Sequence, residues 1–293
     1  MAARRFEDPA AFRQSLEERL RQAAAARGLA VNALRLKLLI ERLLARLFAE
    51  PDPPWLLKGG YAMELRFRPR ARTTKDLDLA CTSEVAGGRS AGRLDVVRTR
   101  LQEAAARDLG DFLVFRIGEP ARLIEAAPEG GARFPVVVML AGREYGRFHV
   151  DIGLGTLPPG APERLVGDDL LAFAGVPPAV ALAIPREAQF AEKVHAYTRP
   201  WDDRINTRTK DLVDLLLLVA GGLPDREALA KALRQAFGTS GGHALPARLP
   251  EPPAPWRSDF SSLAEEVGLP QPDLADAFRQ LDDFWNMNRL GGG

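Results

Sequence analysis

Asp76 and Asp78, separated by Leu77 and followed by Leu79-Ala80, are the residues whose types and spacing most readily suggest chemistry. The apolar run around them reads as a strand, and on a strand residues i and i+2 project to one side. Two carboxylates side by side repel unless a cation neutralises them, and an oxygen-only pair suits Mg²⁺. Upstream, the apolar Trp55-Leu56-Leu57 runs into a glycine pair, Gly59-Gly60, and a helix-compatible stretch follows from Tyr61 to Phe67. Glycines have no Cβ, so their backbone N–H groups can come close to a phosphate. If the chain doubles back between the two stretches, a phosphate cradle meets a pair of carboxylates. That combination is a site for metal-dependent phosphoryl or nucleotidyl transfer. Either half alone is weak, since most isolated Asp-x-Asp pairs are solvated strand ends.

Further along, Asp151 lies inside the apolar run Phe148–Gly153. A lone aspartate in such a strand is expensive unless it is ion-paired, hydrogen-bonded or bound to a metal. His149 falls on the same face and reads as a surface or supporting histidine. Lys193 sits on a helical pattern whose apolar side is Phe190, Val194 and Tyr197, and Asp211 and Asp214 open a second helical pattern. From the residues alone, Lys193 is compatible with a solvated charge, and the two aspartates with simple complements to a helix dipole. Arg66, Arg68, Arg70, Arg72 and Lys75 form an acid-free basic run. It is either a solvated loop or a set of cations for a nucleoside triphosphate or an RNA backbone.

Taken together, Lys58-Gly59-Gly60 and Arg72-Thr73-Thr74-Lys75-Asp76-Leu77-Asp78 resemble the signature of the AbiEii/AbiGii toxin family. That family lies within the DNA polymerase β-like nucleotidyltransferase superfamily. Lys193 followed by Arg208-x-Lys210-Asp211-x-x-Asp214-Leu215 is similar to its later motifs. The resemblance implies an α/β (α+β) fold with a mixed sheet, flanking helices and a mostly helical C-terminal part. It implies catalytic roles for Asp76, Asp78, Asp151, Lys193 and Asp211, with Mg²⁺ or Mn²⁺ held by Asp76, Asp78 and Asp151. Nucleotide contacts are implied for Lys58, Gly59, Gly60, Arg72, Thr74 and Lys193. One departure stands out: the superfamily's glycine-serine turn is Gly59-Gly60 here, so a serine hydroxyl contact to phosphate is missing. The implied substrates are a nucleoside triphosphate and an RNA acceptor, with the 3′ end of tRNA as one candidate, and a cognate antitoxin is the implied protein partner. A protein or small-molecule hydroxyl as acceptor, or a non-catalytic module that binds nucleotide or antitoxin, are the alternatives. Retention of mutually repelling carboxylates argues against a vestigial site.

Several elements must hold these residues. Asp8-Pro9 opens a helix with Phe12, Leu16 and Leu20 on one side, closed by Gly28. Asn32 is the expected cap of a second helix with a stripe of Leu36, Leu39, Ile40, Leu43, Leu44 and Leu47. A helical period follows from Gly92 to Leu109. Strands are expected over Phe112–Ile117, Arg133–Leu140 and Tyr145–Leu154, with Gly142-Arg143 as a hairpin turn. Residues 155–178, rich in Gly and Pro, read as a linker or lid before a strand at Val180–Ile184. The remainder reads as helices at Arg186–Thr198, Thr209–Ala220, Asp225–Phe237, Asp259–Val267 and Pro272–Asn286. This divides the chain into a helical pair (1–50), a nucleotidyltransferase core (51–184) and a helical C-terminal domain (185–293).

Composition bounds the rest. The 293 residues carry a net charge of +1, so any nucleic-acid site must be a local patch rather than a global field. The single cysteine, Cys81, rules out an internal disulfide framework and fits a reducing compartment. No run approaches the ~20 apolar residues of a membrane span, and a cytoplasmic protein is the expectation.

Overall fold

The computed structural model describes residues 6–68, 74–82, 92–124, 130–201, 206–223, 226–238 and 243–291. They form two compact units, one of residues 1–62, 74–157 and 164–183, the other of 63–73, 158–163 and 184–293.

The first unit opens with α1 (Pro9–Arg27), whose N-cap Asp8 accepts from the backbone N–H of Ala10 and Ala11 at 3.2 and 2.9 Å. Gly28 ends it in the left-handed region at φ 65°. In α2 (Val31–Leu47) the expected cap is corrected: Ala30 holds that position and Asn32 lies inside the first turn. There its side-chain oxygen accepts from Arg35 instead of a backbone amide. Strands β1 (Trp55–Lys58), β2 (Leu77–Cys81), β3 (Val114–Ile117), β4 (Arg122–Leu123), β5 (Gly131–Leu140), β6 (Arg143–Leu154), β7 (Glu163–Val166) and β8 (Val180–Ala183) build one mixed sheet. Its order is β3-β5-β6-β2-β1-β8-β7, with β4 paired to β5. The central β2 is antiparallel to β1 and parallel to β6. Helices α3 (Gly59–Arg66) and α4 (Arg93–Ala105) complete the elements of this part of the chain.

The sheet is half-covered in the way its alternation requires. Along β2, Leu77, Leu79 and Cys81 are buried while Asp78 and Ala80 are half-buried. Helix α2 packs on the sheet so closely at Gly146 that a Cβ there would meet Leu39 Cδ1 at 2.5 Å. Burial pushes the Cys81 thiol up to about 12, as befits an inert core cysteine. One ion cluster is buried beneath: Asp111 accepts from Arg42 Nε at 2.7 Å and from Arg46 Nη2 at 2.6 Å. Burial alone would raise the Asp111 pKa, but the two guanidiniums overcome it and hold the carboxyl below its usual range.

Two sequence expectations shift here. The stretch 155–178 is not bare linker: it contains β7 and a one-turn helix at Ala172–Ala174. The hairpin turn is Ala141-Gly142, both at positive φ (52° and 74°), and Arg143 already belongs to β6.

The second unit is helical. It comprises α5 (Arg186–Tyr197), α6 (Thr209–Ala220), α7 (Arg226–Phe237), α8 (Arg257–Glu266) and α9 (Leu274–Met287). The continuous apolar run of α6 is explained by its place: every residue from Leu212 to Leu218 is buried, and α5, α8 and α9 all pack on it. Phe190, Val194, Phe260, Leu281 and Trp285 complete that core. Among the described residues no helix is long and apolar enough to cross a membrane.

Candidate active site

The chain doubles back as the chemistry requires. β1 and β2 pair antiparallel with Lys58 opposite Asp78, so the turn into α3 begins beside the second aspartate. Gly59 adopts φ +66°, and a Cβ built on it would meet Asp78 Oδ2 at 2.1 Å. Only glycine fits there, both for its backbone conformation and for the carboxylate lying against it. Gly60 follows within α3, and Lys58 is half-buried at the end of β1.

Asp76 needs a correction. β2 starts at Leu77, so Asp76 is the residue leading into the strand rather than part of it, and its side chain is 62% exposed. Thr74, two residues earlier, is half-buried. Arg72, Arg70 and Arg204 lie outside the described residues.

Asp78 and Asp151 are Cα partners on the parallel strands β2 and β6. Neighbours in parallel register put their side chains on the same face, so the third carboxylate stands next to the second. His149, two residues before Asp151, is exposed and sits across from Pro135.

The sequence reading missed Arg133. It is the antiparallel partner of Asp151 on β5, and its Nε and Nη2 each donate to an Asp151 oxygen at 2.7 Å. Nη2 is also 3.9 Å from Asp76 Oδ1. Hydrogen bonding to Asp151, then the charges of Asp151, Asp76 and Asp78, raise the Arg133 pKa above its ordinary value. One guanidinium thus feels all three aspartates.

Does this donor set fit the divalent ion that the chemistry implies? Among the described residues no three His, Cys, Asp or Glu side chains are gathered at metal-ligating spacing. Asp76 and Asp78 nevertheless supply the oxygen donors a hard cation takes. A cation, the guanidinium, already lies at the third carboxylate and within 3.9 Å of the first. Asp76 and Asp78 are thus of the donor type such an ion takes, and the third carboxylate, Asp151, is engaged by Arg133.

In the helical unit a second charged cluster forms between α5 and α6. Lys193 Nζ lies 2.8 Å from Asp211 Oδ1 and 2.7 Å from Asp214 Oδ2. Arg208 Nη1 approaches the other Asp211 oxygen at 3.4 Å, and its guanidinium lies 5.7 Å from the Trp201 ring centre. Burial opposes the charge on Lys193, but the Asp214 and Asp211 carboxylates prevail and raise its pKa, so the ammonium persists at neutral pH. Asp211 and Asp214 thus serve a buried lysine rather than only the α6 dipole. The register was legible in the i, i+3 spacing of the aspartates; the partner was not.

The basic run is corrected at Arg66. Its side chain is fully buried, donating from Nε to Glu163 at 2.6 Å and from Nη1 to Gln189 at 3.2 Å. It is a structural cation, not one presented to a polyanion.

Residues 42–285 match a family model described as nucleotidyl transferase AbiEii toxin of a type IV toxin–antitoxin system. Among solved structures, MenT4, a nucleotidyltransferase toxin from Mycobacterium tuberculosis H37Rv, superposes with a TM-score of 0.55 at 16% identity. The match covers 94% of this chain and 97% of that one, and it shows a common fold. A CdnE cyclic dinucleotide synthase from Elizabethkingia meningoseptica aligns over 84% of this chain and 89% of its own at 13% identity. Its TM-score is 0.21, too slight a likeness to bear on the fold. No curated protein matches the sequence.

Proposed function

The chain belongs to the AbiEii family of nucleotidyltransferase toxins, and from that premise we propose that it transfers nucleotides from a nucleoside triphosphate to RNA and so arrests growth. The observation that carries the reading is the packing of Asp78 between Gly59 on one side and Asp151 on the other.

Asp76 and Asp78, joined by Asp151, would hold Mg²⁺ or Mn²⁺ on the triphosphate. When bound, that ion neutralises phosphate charge and steadies the leaving oxygens of an in-line displacement. The rest falls to the chain. Gly59 and Gly60 begin α3 and offer backbone N–H groups to the phosphates, where a helix N-terminus favours negative charge. Lys58 and Thr74 flank that turn and the aspartates and would add polar contacts, as would Arg72. Lys193 stays charged, and an ammonium has three donors, of which Asp211 and Asp214 engage two. The family resemblance implies that this lysine serves the nucleotide phosphates. Catalysis of this kind is mostly positioning and charge neutralisation.

The RNA acceptor, with the tRNA 3′ end as one candidate, and a cognate antitoxin are what the family resemblance implies. The test is incubation of the purified protein with total RNA and each labelled nucleoside triphosphate in turn, with and without a chelator. Label in RNA, lost on chelation, is expected. Label in protein or in a small molecule would replace the acceptor, and transfer undiminished by chelator would remove the metal from the reading.

A further inference from the structure

We infer that Arg133 is the resident cation of the carboxylate cluster: it holds Asp151 until a divalent ion replaces it there, and then turns to the phosphates of the nucleotide. The inference rests on the nucleotidyltransferase reading above and deepens it.

The geometry is that of a cation serving several carboxylates. Arg133 stands opposite Asp151 across β5 and β6 and grips both of its oxygens. The same Nη2 reaches towards Asp76, the residue that leads into β2. An ordinary cross-strand ion pair joins two residues on a ladder; this one also approaches Asp76, beyond the ladder, and feels the charge of Asp78 on β2. Its register is moreover built in by an irregularity. Between the pairs Met139–Glu144 and Val138–Gly146, β6 carries one extra residue, Tyr145. Without that bulge, the two-residue turn would pair Arg133 with Val150 and send it to the opposite face. The bulged Tyr145 is buried and donates its hydroxyl to Glu17 of α1 at 2.6 Å, which fixes the irregularity in place.

The cluster is also open to exchange. Arg133 and Asp76 are 33% and 62% exposed, so an incoming cation can reach the carboxylates and the arginine arm can swing without disturbing the core. A guanidinium and a divalent ion neutralise the same oxygens and therefore compete for them. Once released, the planar fork is next to the seat of a triphosphate, an anion it can bind with two parallel hydrogen bonds.

The exchange predicts a sign that a plain structural pair does not. If Arg133 competes with the ion, removing it strengthens metal binding in the nucleotide-free protein. If it only steadies Asp151, removing it leaves metal binding unchanged or weaker. The experiment is calorimetric titration of Mn²⁺ into nucleotide-free wild type, Arg133→Gln and Arg133→Lys, followed by titration of a non-hydrolysable nucleoside triphosphate at saturating Mn²⁺. Arg133→Gln is expected to bind Mn²⁺ about 5- to 150-fold more tightly, the usual range for two coupled binding events, and the nucleotide at least several-fold more weakly. Arg133→Lys, which keeps the charge and loses the fork, should lie between, and decides by the same sign if the glutamine variant fails to fold. Unchanged or weaker Mn²⁺ binding overturns the exchange, and unchanged nucleotide affinity overturns the turn to phosphate. If wild type and variants all fail to bind Mn²⁺ even with nucleotide present, the metal-dependent reading itself falls, and the exchange with it.

Discussion

Gly59, just past the end of β1, lies against Asp78 of β2: the space a Cβ on Gly59 would take is filled by the Asp78 carboxylate, with Oδ2 at 2.1 Å and Cγ at 2.7 Å. The glycine turn and the Asp-x-Asp pair are therefore one structure, each shaped by the other.

Gly59→Ala tests that contact. The left-handed backbone at φ +66° costs an alanine about 1–2 kcal/mol, and the added methyl must also push Asp78 aside. The expected result is a melting temperature lower by a few degrees and Mn²⁺ affinity lower by at least about tenfold, since a displaced carboxylate loses roughly 1.4 kcal/mol or more of binding. A variant that melts lower yet binds Mn²⁺ as well as wild type would detach the glycine from the metal seat.

Asp76→Ala and Asp78→Ala should each abolish nucleotide transfer. Neither should destabilise the fold much, because Asp76 is largely exposed and losing either charge relieves repulsion among the aspartates. Transfer assays beside thermal melts separate the two effects. Near-normal transfer by either variant in the presence of Mg²⁺ would refute the seat.

The parts of this site that the sequence shows are those that local rules govern. Gly59-Gly60 marks a turn because of the conformations glycine permits, and strand period gives Asp78 its face of β2, although Asp76 lies one residue before the strand. The helices α1, α5, α6 and α7 were legible for the same reason, since the helical period, and in α1 the Asp8 cap, are local. Arg133 was not legible. Its place depends on the Tyr145 bulge, which shifts the pairing of β5 and β6 by one residue, and no local pattern announces a bulge. Arg66 misled in the opposite direction. It sits in a basic run, and only the distant Glu163 and Gln189 make it a buried structural cation. Strand β7 went unread because its four residues, Glu163–Val166, have no period long enough to stand out from a Gly/Pro-rich stretch.

The helical unit should be sensitive to mild acid. The rings of His195 and His243 lie 4.7 Å apart, and both pack edge-on against Phe237. Burial first, then the neighbouring positive charges, lowers the pKa of each below its ordinary value. The unfolded chain therefore takes up protons before the folded one does. Stability is full above the unfolded histidine pKa of about 6.5 and declines as pH falls below it. Chemical denaturation between about pH 7.5 and pH 5 should show this decline, and His195→Phe should reduce it. A flat profile in the wild type would mean that the pair is solvated enough to protonate without cost.

Lys193 requires more than one substitution to interpret. Lys193→Ala leaves Asp211 and Asp214, each within 2.8 Å of the lost ammonium, buried with no lysine to balance them. Removing one partner of a buried ion cluster costs about 3–5 kcal/mol, so a dead alanine variant says nothing about catalysis. The informative protein is Lys193→Met combined with Asp211→Asn and Asp214→Asn, which removes all three charges together. Removing all three charges leaves no unbalanced buried ion, only two buried amides to satisfy, so this variant should melt below the wild type but above Lys193→Ala. If Lys193 offers its third donor to the triphosphate, the same variant should lose roughly 3 kcal/mol in kcat/KM, the scale of one well-placed donor to a developing charge. Lys193→Arg should recover only part of that, because a planar fork replaces a compact ammonium between two carboxylates. A triple variant that folds and transfers nucleotide at the wild-type rate would make Lys193, Asp211 and Asp214 a cross-link between α5 and α6 and nothing more.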